Sequence, residues 1–332
     1  MRHSLRRQLH SFHLPMGSHL SAVEARGYPI DFRVKAQSPE WPPSWLASHL
    51  ESYVSVAQRG LGYYERYVAG EGEAWRSTAT AAAEWLVSRQ ERGGRADGAW
   101  LHNYTFRHTF PIRPPWVSAM AQGEGASLLV RIYQETSDEQ FAEAAIRAIR
   151  PLGLTARDGG AMAQLDRGIF LEEYPTDPPS CVLNGGMFAI WGCFDVARAL
   201  GDSDAKWLRD ASVDTLAAII DRYDTGYWSR YDLFPHPVTN VASPAYHRLH
   251  IEQLKAMALL TNRPEFASAA SVFEGYLEQR LSRTRALAGK TVFRILLPRN
   301  RVLAGRLPWD RTIRQSDDGQ TAELSQDRSD DG

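Results

Sequence analysis

Apolar residues recur at three- and four-residue steps through most of this 332-residue chain. That spacing places them on one face of an α-helix and therefore predicts helices. The predicted helices are 44–68, 72–90, 118–134, 139–152, 182–200, 205–223, 246–260 and 264–281. Beyond residue 117 the helices form pairs. A short turn (T-S-D, G-D-S-D or T-N-R) joins the two members of each pair, and a long irregular loop separates one pair from the next.

The helix pairs recur about every 64 residues, a period typical of stacked helical hairpins. The pattern favours a mostly α fold, an α/α-toroid or an α-solenoid. Small residues in A-M-A-Q-G-E-G-A-S and N-G-G-M-F-A would let neighbouring helices approach closely at an inner ring. The long loops 91–117, 153–181 and 224–245 would then gather at one rim. Loops on a rigid scaffold carry function more often than the scaffold itself.

The two ends of the chain lack this pattern. Residues 1–26 are basic without the apolar core of a signal peptide, and we interpret them as a flexible arm. Residues 27–43 are rich in proline, and apolar and polar residues alternate over a short part of them. This pattern predicts an extended lead-in with one short strand. The toroid domain is predicted to span 27–283. Residues 284–332 are basic and then acidic, and we expect them to be partly disordered.

Composition and charge narrow the range of functions. Hydrophobic residues make up 43% of the chain and charged residues 23%, as in a globular protein. The net charge of −1 argues against the broad basic surface of a nucleic-acid-binding protein. No apolar run is long enough for a membrane span, so a cytoplasmic location is expected. Cys181 and Cys193 are too far apart in one predicted helix to form a disulfide. Metal-site spacings and dinucleotide or phosphate motifs are missing, so neither a metal nor a cofactor is expected.

Polar and aromatic residues concentrate in three segments of the predicted rim. They are Tyr104, Arg107, His108 and Arg113 in the first segment, Glu172, Glu173 and Tyr174 in the second, and Arg230, Tyr231, His236, Tyr246, His247, Arg248 and His250 in the third. Glu172 and Glu173 are adjacent, so at most one of them can face a given atom. Three prolines follow Tyr174 and restrict the backbone there. Asn184 opens the next helix, where it either caps the helix or contacts a ligand.

Several of these segments resemble one known family. The stretches E-E-Y-P-T-D-P-P-S-C-V-L-N-G-G, W-V-S-A-M-A-Q-G-E-G-A-S and Y-H-R-L-H-I-E-Q-L are similar, in order and spacing over 115–282, to the C-terminal segment of heparan-sulfate D-glucuronyl C5-epimerases. The resemblance implies an α/α-toroid that converts D-glucuronate to L-iduronate within an acidic polysaccharide such as heparosan. The net charge and the lack of a long apolar run mean that neither nucleic acid nor a membrane is expected as a partner, and a homodimer is a candidate assembly.

The resemblance also implies site residues. Its motifs place the family's three tyrosines at Tyr174, Tyr231 and Tyr246. Glu173 is a further catalytic candidate. The candidate substrate contacts are Glu172, Arg107, His108, Arg113, Asn184, Arg230, His247, His250 and Gln122. The chain departs from the family where Y-D-L is followed by Phe234 instead of arginine. It also has only residues 1–114 where the larger animal enzymes carry a β-rich region.

The expected chemistry is removal of a weakly acidic proton from the carbon next to a carboxylate. A tyrosine can act as the base only if cations or hydrogen bonds lower its pKa from about 10. Arg230 beside Tyr231, and His247 with Arg248 beside Tyr246, are the predicted cations. Two other functions stay open at this point. One is a polysaccharide lyase, which begins with the same proton abstraction. The other is a non-catalytic toroid that binds polysaccharide.

Overall fold

A computed structural model of the protein describes residues 27–48, 52–105, 109–110 and 112–297. The predicted arm at 1–26 and residues 298–332 of the predicted tail therefore lie outside the described residues. Arg107 and His108 also lie outside them.

The described residues form nine α-helices. They are α1 (Tyr53–Val68), α2 (Glu73–Ser88), α3 (Ala119–Thr136), α4 (Glu139–Ile149), α5 (Leu183–Leu200), α6 (Ser203–Ile219), α7 (Pro244–Thr261), α8 (Pro264–Glu278) and α9 (Arg280–Leu296). The first eight make four consecutive helical hairpins. This confirms the predicted mostly α, toroid-type fold. No helix of the described part of the chain is long and apolar enough to cross a membrane.

The hairpins stand side by side, so that one helix of each forms an inner layer. In this layer α3 packs against α1 on one side and α5 on the other, and α5 packs against α7. The partners α2, α4, α6 and α8 lie outside it. The α3–α5 contact is a close backbone approach, because a side-chain carbon at Gly192 would lie 2.4 Å from the Gly123 Cα atom. The predicted role of small residues in close helix contact is thereby confirmed.

Two short antiparallel ribbons lie in the loops between hairpins. Strand β1 (Leu101–His102) pairs with β2 (Trp116–Val117), and β3 (Met162–Leu165) pairs with β4 (Gly168–Leu171). The first ribbon falls where the sequence predicts extended or hairpin chain. The second falls in a segment predicted as an irregular loop.

The N-terminal lead-in differs from its prediction. A short 3₁₀ turn, Arg33–Lys35, occupies the part of the lead-in where a strand was expected, and no strand occurs in the described residues before β1. Tyr28, Ile30 and Phe32 are buried in the main core. The strand prediction was wrong because the alternation reflects which side chains the core buries and not a sheet.

The predicted domain end at residue 283 falls inside α9. This helix packs Ala286 into a second apolar cluster that includes Tyr231 and Phe234, and it buries Phe293, whose ring meets the His236 ring edge-on at a centroid distance of 5.0 Å. The two residues are seven positions apart, which places them on one face of the helix. The first part of the predicted tail is therefore an ordered layer of the domain.

Candidate active site

A cavity of about 400 Å³ opens between the lead-in turn, α1, the β1–β2 ribbon and the first turns of α5 and α7. Five residues singled out from the sequence line it: Tyr104, Glu173, Tyr174, Asn184 and Tyr246. They come from the loop between β1 and β2, from the proline-rich turn before α5, from the first turn of α5 and from the first turn of α7. Residues distant in the chain therefore meet at one place.

Local structure explains how Tyr246 and Tyr174 are held. Ser243 caps α7, and its hydroxyl accepts a hydrogen bond from the Tyr246 backbone N–H at 3.3 Å, so Tyr246 stands at the helix start. The Tyr174 ring packs between Phe110 and Trp116, with centroid distances of 5.5 and 6.0 Å. Aromatic packing therefore restricts the Tyr174 ring at the cavity wall.

Tyr231 lies directly behind Tyr246. The two ring centroids are 5.0 Å apart at an interplanar angle of 68°, and Tyr231 is only 5% exposed. Burial raises the pKa of Tyr231 well above 10. The negative charge of Glu173, and that of the neighbouring tyrosines when ionised, raises it further. The prediction that adjacent cations lower the pKa of this tyrosine was wrong, because desolvation dominates there.

Glu173 is the acidic group of the cavity. It is 7% exposed, and its Oε2 atom has no hydrogen-bond partner among the described residues. Burial raises its pKa to about 7, a hydrogen bond with Tyr174 acts in the opposite direction, and the charge of Glu172 adds to the increase. Gly185 makes room for it, since a side-chain carbon at that position would lie 2.4 Å from Glu173 Oε2.

Glu172 faces away from the cavity. Its carboxylate accepts hydrogen bonds from the Ser180 N–H and hydroxyl at 2.8 and 2.7 Å and from the Cys181 N–H at 2.7 Å. These bonds tie the two ends of the proline-rich turn together. Glu172 thus supports the turn that presents Glu173 and Tyr174, and the predicted substrate contact at this residue finds no support in the geometry.

Asn184 is the second residue of α5, whose N-cap is Val182. Its Oδ1 atom is buried without a hydrogen-bond partner among the described residues, at the cavity wall. Of the two alternatives for Asn184, this geometry favours ligand contact over helix capping.

The two cysteines were predicted to lie in one helix. Cys181 instead precedes α5, and both cysteines are buried and free.

Several other predicted contacts lie away from the cavity. Gln122 is fully buried, and its amide bonds to the Trp100 N–H and to the carbonyls of Gly98 and Ala148. Arg230 is half-buried and Arg113 is exposed, and neither lines the cavity. These side chains are not brought together with Glu173, so the structure offers no support for their predicted substrate contacts.

The histidine pair has a packing role. His247 stacks on Trp228 with a centroid distance of 3.7 Å, and both His247 and His250 share the Ser229 hydroxyl through their Nδ1 atoms. Burial lowers the pKa of His247 to about 4 and lowers that of His250 well below its ordinary value. Both rings are neutral at pH 7, so His247 is not the cation that the sequence predicted, and neither ring lines the cavity as a predicted substrate contact would.

The sequence interpretation missed four polar residues at or beside the cavity. Lys35, Gln58 and His102 line it, and Glu124 lies directly beyond Gln58. A signal for Glu124 was available, since an isolated acid within the small-residue stretch A-M-A-Q-G-E-G-A-S is expected to be buried and partnered. Nothing local marked Lys35, because it reaches the cavity only when the lead-in folds back on α1.

The cavity wall also carries aromatic rings suited to a sugar. His102 stacks on Trp116 with a centroid distance of 4.1 Å, and Tyr53 and Tyr104 meet the His102 ring edge-on. Burial lowers the pKa of His102 to about 4, so this ring is neutral as well. Within the described ranges, no group of three His, Cys, Asp or Glu side chains is arranged to hold a metal ion.

Comparison with known proteins adds an independent line of evidence. The family model of the D-glucuronyl C5-epimerase C-terminus matches residues 94–275. A D-glucuronyl C5-epimerase of Caenorhabditis elegans is 30% identical over 242 residues, which are 67% of this chain and 38% of that protein. An uncharacterized protein of Methanocaldococcus jannaschii is 26% identical over 159 residues, 47% of this chain and 50% of that one. The chain spans half or less of the length of each of these relatives.

Proposed function

Because the chain belongs to the D-glucuronyl C5-epimerase family, we propose that it converts D-glucuronate residues of a glycosaminoglycan-like polysaccharide into L-iduronate. One observation gives this proposal its main support. Glu173, Tyr174 and Tyr246 line a single cavity, and Tyr231 packs directly behind Tyr246. Convergence of these groups is what proton transfer at one sugar carbon requires.

The reaction sets three demands on a site. The hydrogen on C5 lies next to a carboxylate and is weakly acidic, so donors must offset the charge that develops on that carboxylate. A base must remove the proton from one face of the sugar. An acid must then return a proton to the opposite face, because return to the original face regenerates glucuronate.

Glu173 is the base in this proposal. With a pKa of about 7, it is about half ionised at neutral pH, and it is a stronger base than an ordinary glutamate with a pKa of about 4.3. The hydrogen bond with Tyr174 stabilises the ionised form. A polysaccharide lyase needs its proton donor at the glycosidic oxygen of the leaving sugar and not at C5, and a merely binding toroid needs no proton donor.

Tyr246 is the acid. It reaches the cavity from α7, whereas Glu173 and Tyr174 belong to the turn before α5. A phenol with an ordinary pKa of about 10 is protonated at neutral pH and therefore donates well. Tyr231, whose pKa is higher still, also stays protonated and supports the Tyr246 ring from behind.

Incubation of the full chain with heparosan-type glucuronate polymer in heavy water should place deuterium at C5 and produce iduronate. Proton NMR of the recovered polymer measures both. An unsaturated, ultraviolet-absorbing product would instead identify a lyase. If neither exchange nor cleavage occurs on a panel of glucuronate polymers that the protein binds, the epimerase proposal fails in favour of a binding function.

The rate of exchange from glucuronate should rise with pH through about 7 and level off above it, since only ionised Glu173 can accept the proton. Between pH 6 and pH 8 the ionised fraction, and with it the rate, should grow about tenfold. Tyr174→Phe removes a hydrogen bond that lowers the pKa of Glu173, so it should move this rise to higher pH. A rate that falls between pH 6 and pH 8 would make Glu173 the proton donor instead.

A further inference from the structure

One wall of the cavity is built from buried polar side chains that lie outside the predicted site. The Lys35 ammonium donates a hydrogen bond to Gln58 Oε1, and the Gln58 Nε2 group donates to Glu124 Oε1 at 2.8 Å. Gln58 is 5% exposed and Glu124 is fully buried. The amide of Gln58 is therefore oriented at both ends, with its oxygen towards the ammonium.

Among the described residues, Lys35 donates to the neutral amide of Gln58 and to no carboxylate. Burial raises the pKa of Glu124 well above its ordinary value, which favours its neutral form. Burial also lowers the pKa of Lys35 to about 8, which still leaves the amine mostly charged at neutral pH. A half-buried ammonium that faces a neutral amide favours the binding of an anion.

The geometry around the ammonium leaves room for that anion. An ammonium has three N–H donors, and in the described residues Lys35 directs one of them at Gln58. Lys35 lines the same cavity as Glu173, Tyr174 and Asn184. Among the cavity-lining residues in the described part of the chain, no other side chain is a cation at neutral pH, because the pKa of His102 is about 4.

Lys35 and the proposed base lie in the wall of one cavity. Both line it, and both act electrostatically on the buried acid Glu124. In a uronate residue the carboxylate is bonded to C5, the carbon that would lose its proton. A cation close to the base can therefore hold that carboxylate while C5 faces Glu173.

We propose that Lys35, oriented by Gln58 and Glu124, binds the carboxylate of the uronate residue whose C5 reacts. This inference rests on the proposed function and adds the group that recognises the acidic sugar. The same ammonium offsets the negative charge that grows on the carboxylate as the proton leaves. Lys35 and Gln58 both precede residues 94–275, the range that the family model matches.

The test is equilibrium binding of two matched oligosaccharides, one with glucuronate and one in which each carboxylate is reduced to the alcohol. Isothermal calorimetry on the full chain measures both affinities. Wild type should prefer the acidic oligosaccharide. Lys35→Met should lose about 10- to 100-fold in affinity for it, the range for a hydrogen bond to a charged group, and should bind the reduced oligosaccharide unchanged. Lys35→Arg should keep most of the preference.

Two further variants keep the test decisive. The chain contains only four lysines, and Lys206 is an exposed one that pairs with Asp210. Lys206→Met is the matched control and should behave as wild type. Lys35→Gln retains a hydrogen-bonding group for Gln58 and replaces Lys35→Met if thermal unfolding shows that the latter is not folded. An unchanged preference for the acidic oligosaccharide in a folded, uncharged Lys35 variant overturns the inference.

The inference and the proposed function fail separately. If wild type exchanges deuterium and the uncharged Lys35 variants keep both the acid preference and the exchange, the function stands and the inference is wrong. If wild type prefers the acidic oligosaccharide through Lys35 but exchanges no deuterium, the carboxylate site stands and the epimerase activity is wrong.

Discussion

Tyr246→Phe is expected to abolish iduronate formation while leaving part of the deuterium exchange into glucuronate. Loss of the acid should lower the rate of inversion about 10²- to 10⁴-fold, the usual contribution of a positioned general acid. Glu173 remains in the variant, and it can still remove the C5 proton and return a deuteron to the same face. The ratio of inversion to exchange, measured by NMR of the polymer in heavy water, should therefore decrease strongly.

The control for this experiment is Tyr133→Phe. The Tyr133 hydroxyl donates to Glu139 at 3.3 Å, in an exposed pair remote from the cavity lining, so this variant should match wild type. Equal losses of inversion and exchange in Tyr246→Phe would contradict separate roles for Tyr246 and Glu173. Unchanged inversion would remove Tyr246 from the mechanism altogether.

Arg131→Met should destabilise the fold by about 3 kcal/mol, near the lower end of the range for breaking a buried ion pair. Arg131 is fully buried on α3, and its Nη1 atom donates to Asp195 Oδ2 on α5 at 2.6 Å. Its Nη2 atom donates to the Gly27 carbonyl at the start of the described lead-in. Asp195 keeps a second partner, Arg198, at 2.6 Å, which limits the loss. Urea unfolding monitored by circular dichroism measures the change.

The pKa of Asp195 determines how the effect of Arg131→Met changes with pH. Burial would raise the pKa of Asp195, but Arg131 and Arg198 outweigh it and hold that pKa below its ordinary value. The stabilisation is therefore fully present above pH of about 4 and is lost as the pH falls through the lower folded pKa. The difference between wild type and Arg131→Met should stay constant from about pH 8 to pH 5 and shrink in stronger acid.

A surface pair is the matched control for Arg131→Met. Arg157 pairs with Asp177 at 2.9 Å, but the two side chains are 85% and 76% exposed. Arg157→Met should leave the unfolding curve almost unchanged, because solvent screens such pairs. A loss below about 1 kcal/mol in Arg131→Met would show that the buried pair only compensates for its own desolvation.

The helical hairpins and their close contacts were predictable from the sequence. Apolar spacing is a local property, and the predicted helix 182–200 differs from Leu183–Leu200 by one residue at its start. The glycines of the inner layer likewise indicated close helix contact before any coordinates were known. Local patterns failed in the lead-in, where packing produced a 3₁₀ turn in place of the strand that the alternation predicted.

The candidate site was also only partly predictable from the sequence. Sequence motifs singled out Tyr174, Tyr246 and Glu173, because chemistry-bearing residues in an unusual local pattern stand out without knowledge of the fold. The sequence by itself therefore determined the helical architecture, the family and these candidate side chains.

Only the tertiary structure decided which groups share the cavity and what charge they carry. In the tertiary structure Glu172 binds its own turn and faces away from the cavity. His247 is buried as a neutral ring, and Lys35 reaches the cavity from the lead-in. The physical reason is that a pKa and a binding site depend on desolvation and on neighbours distant in the chain. A periodic pattern within one helix carries no information about either.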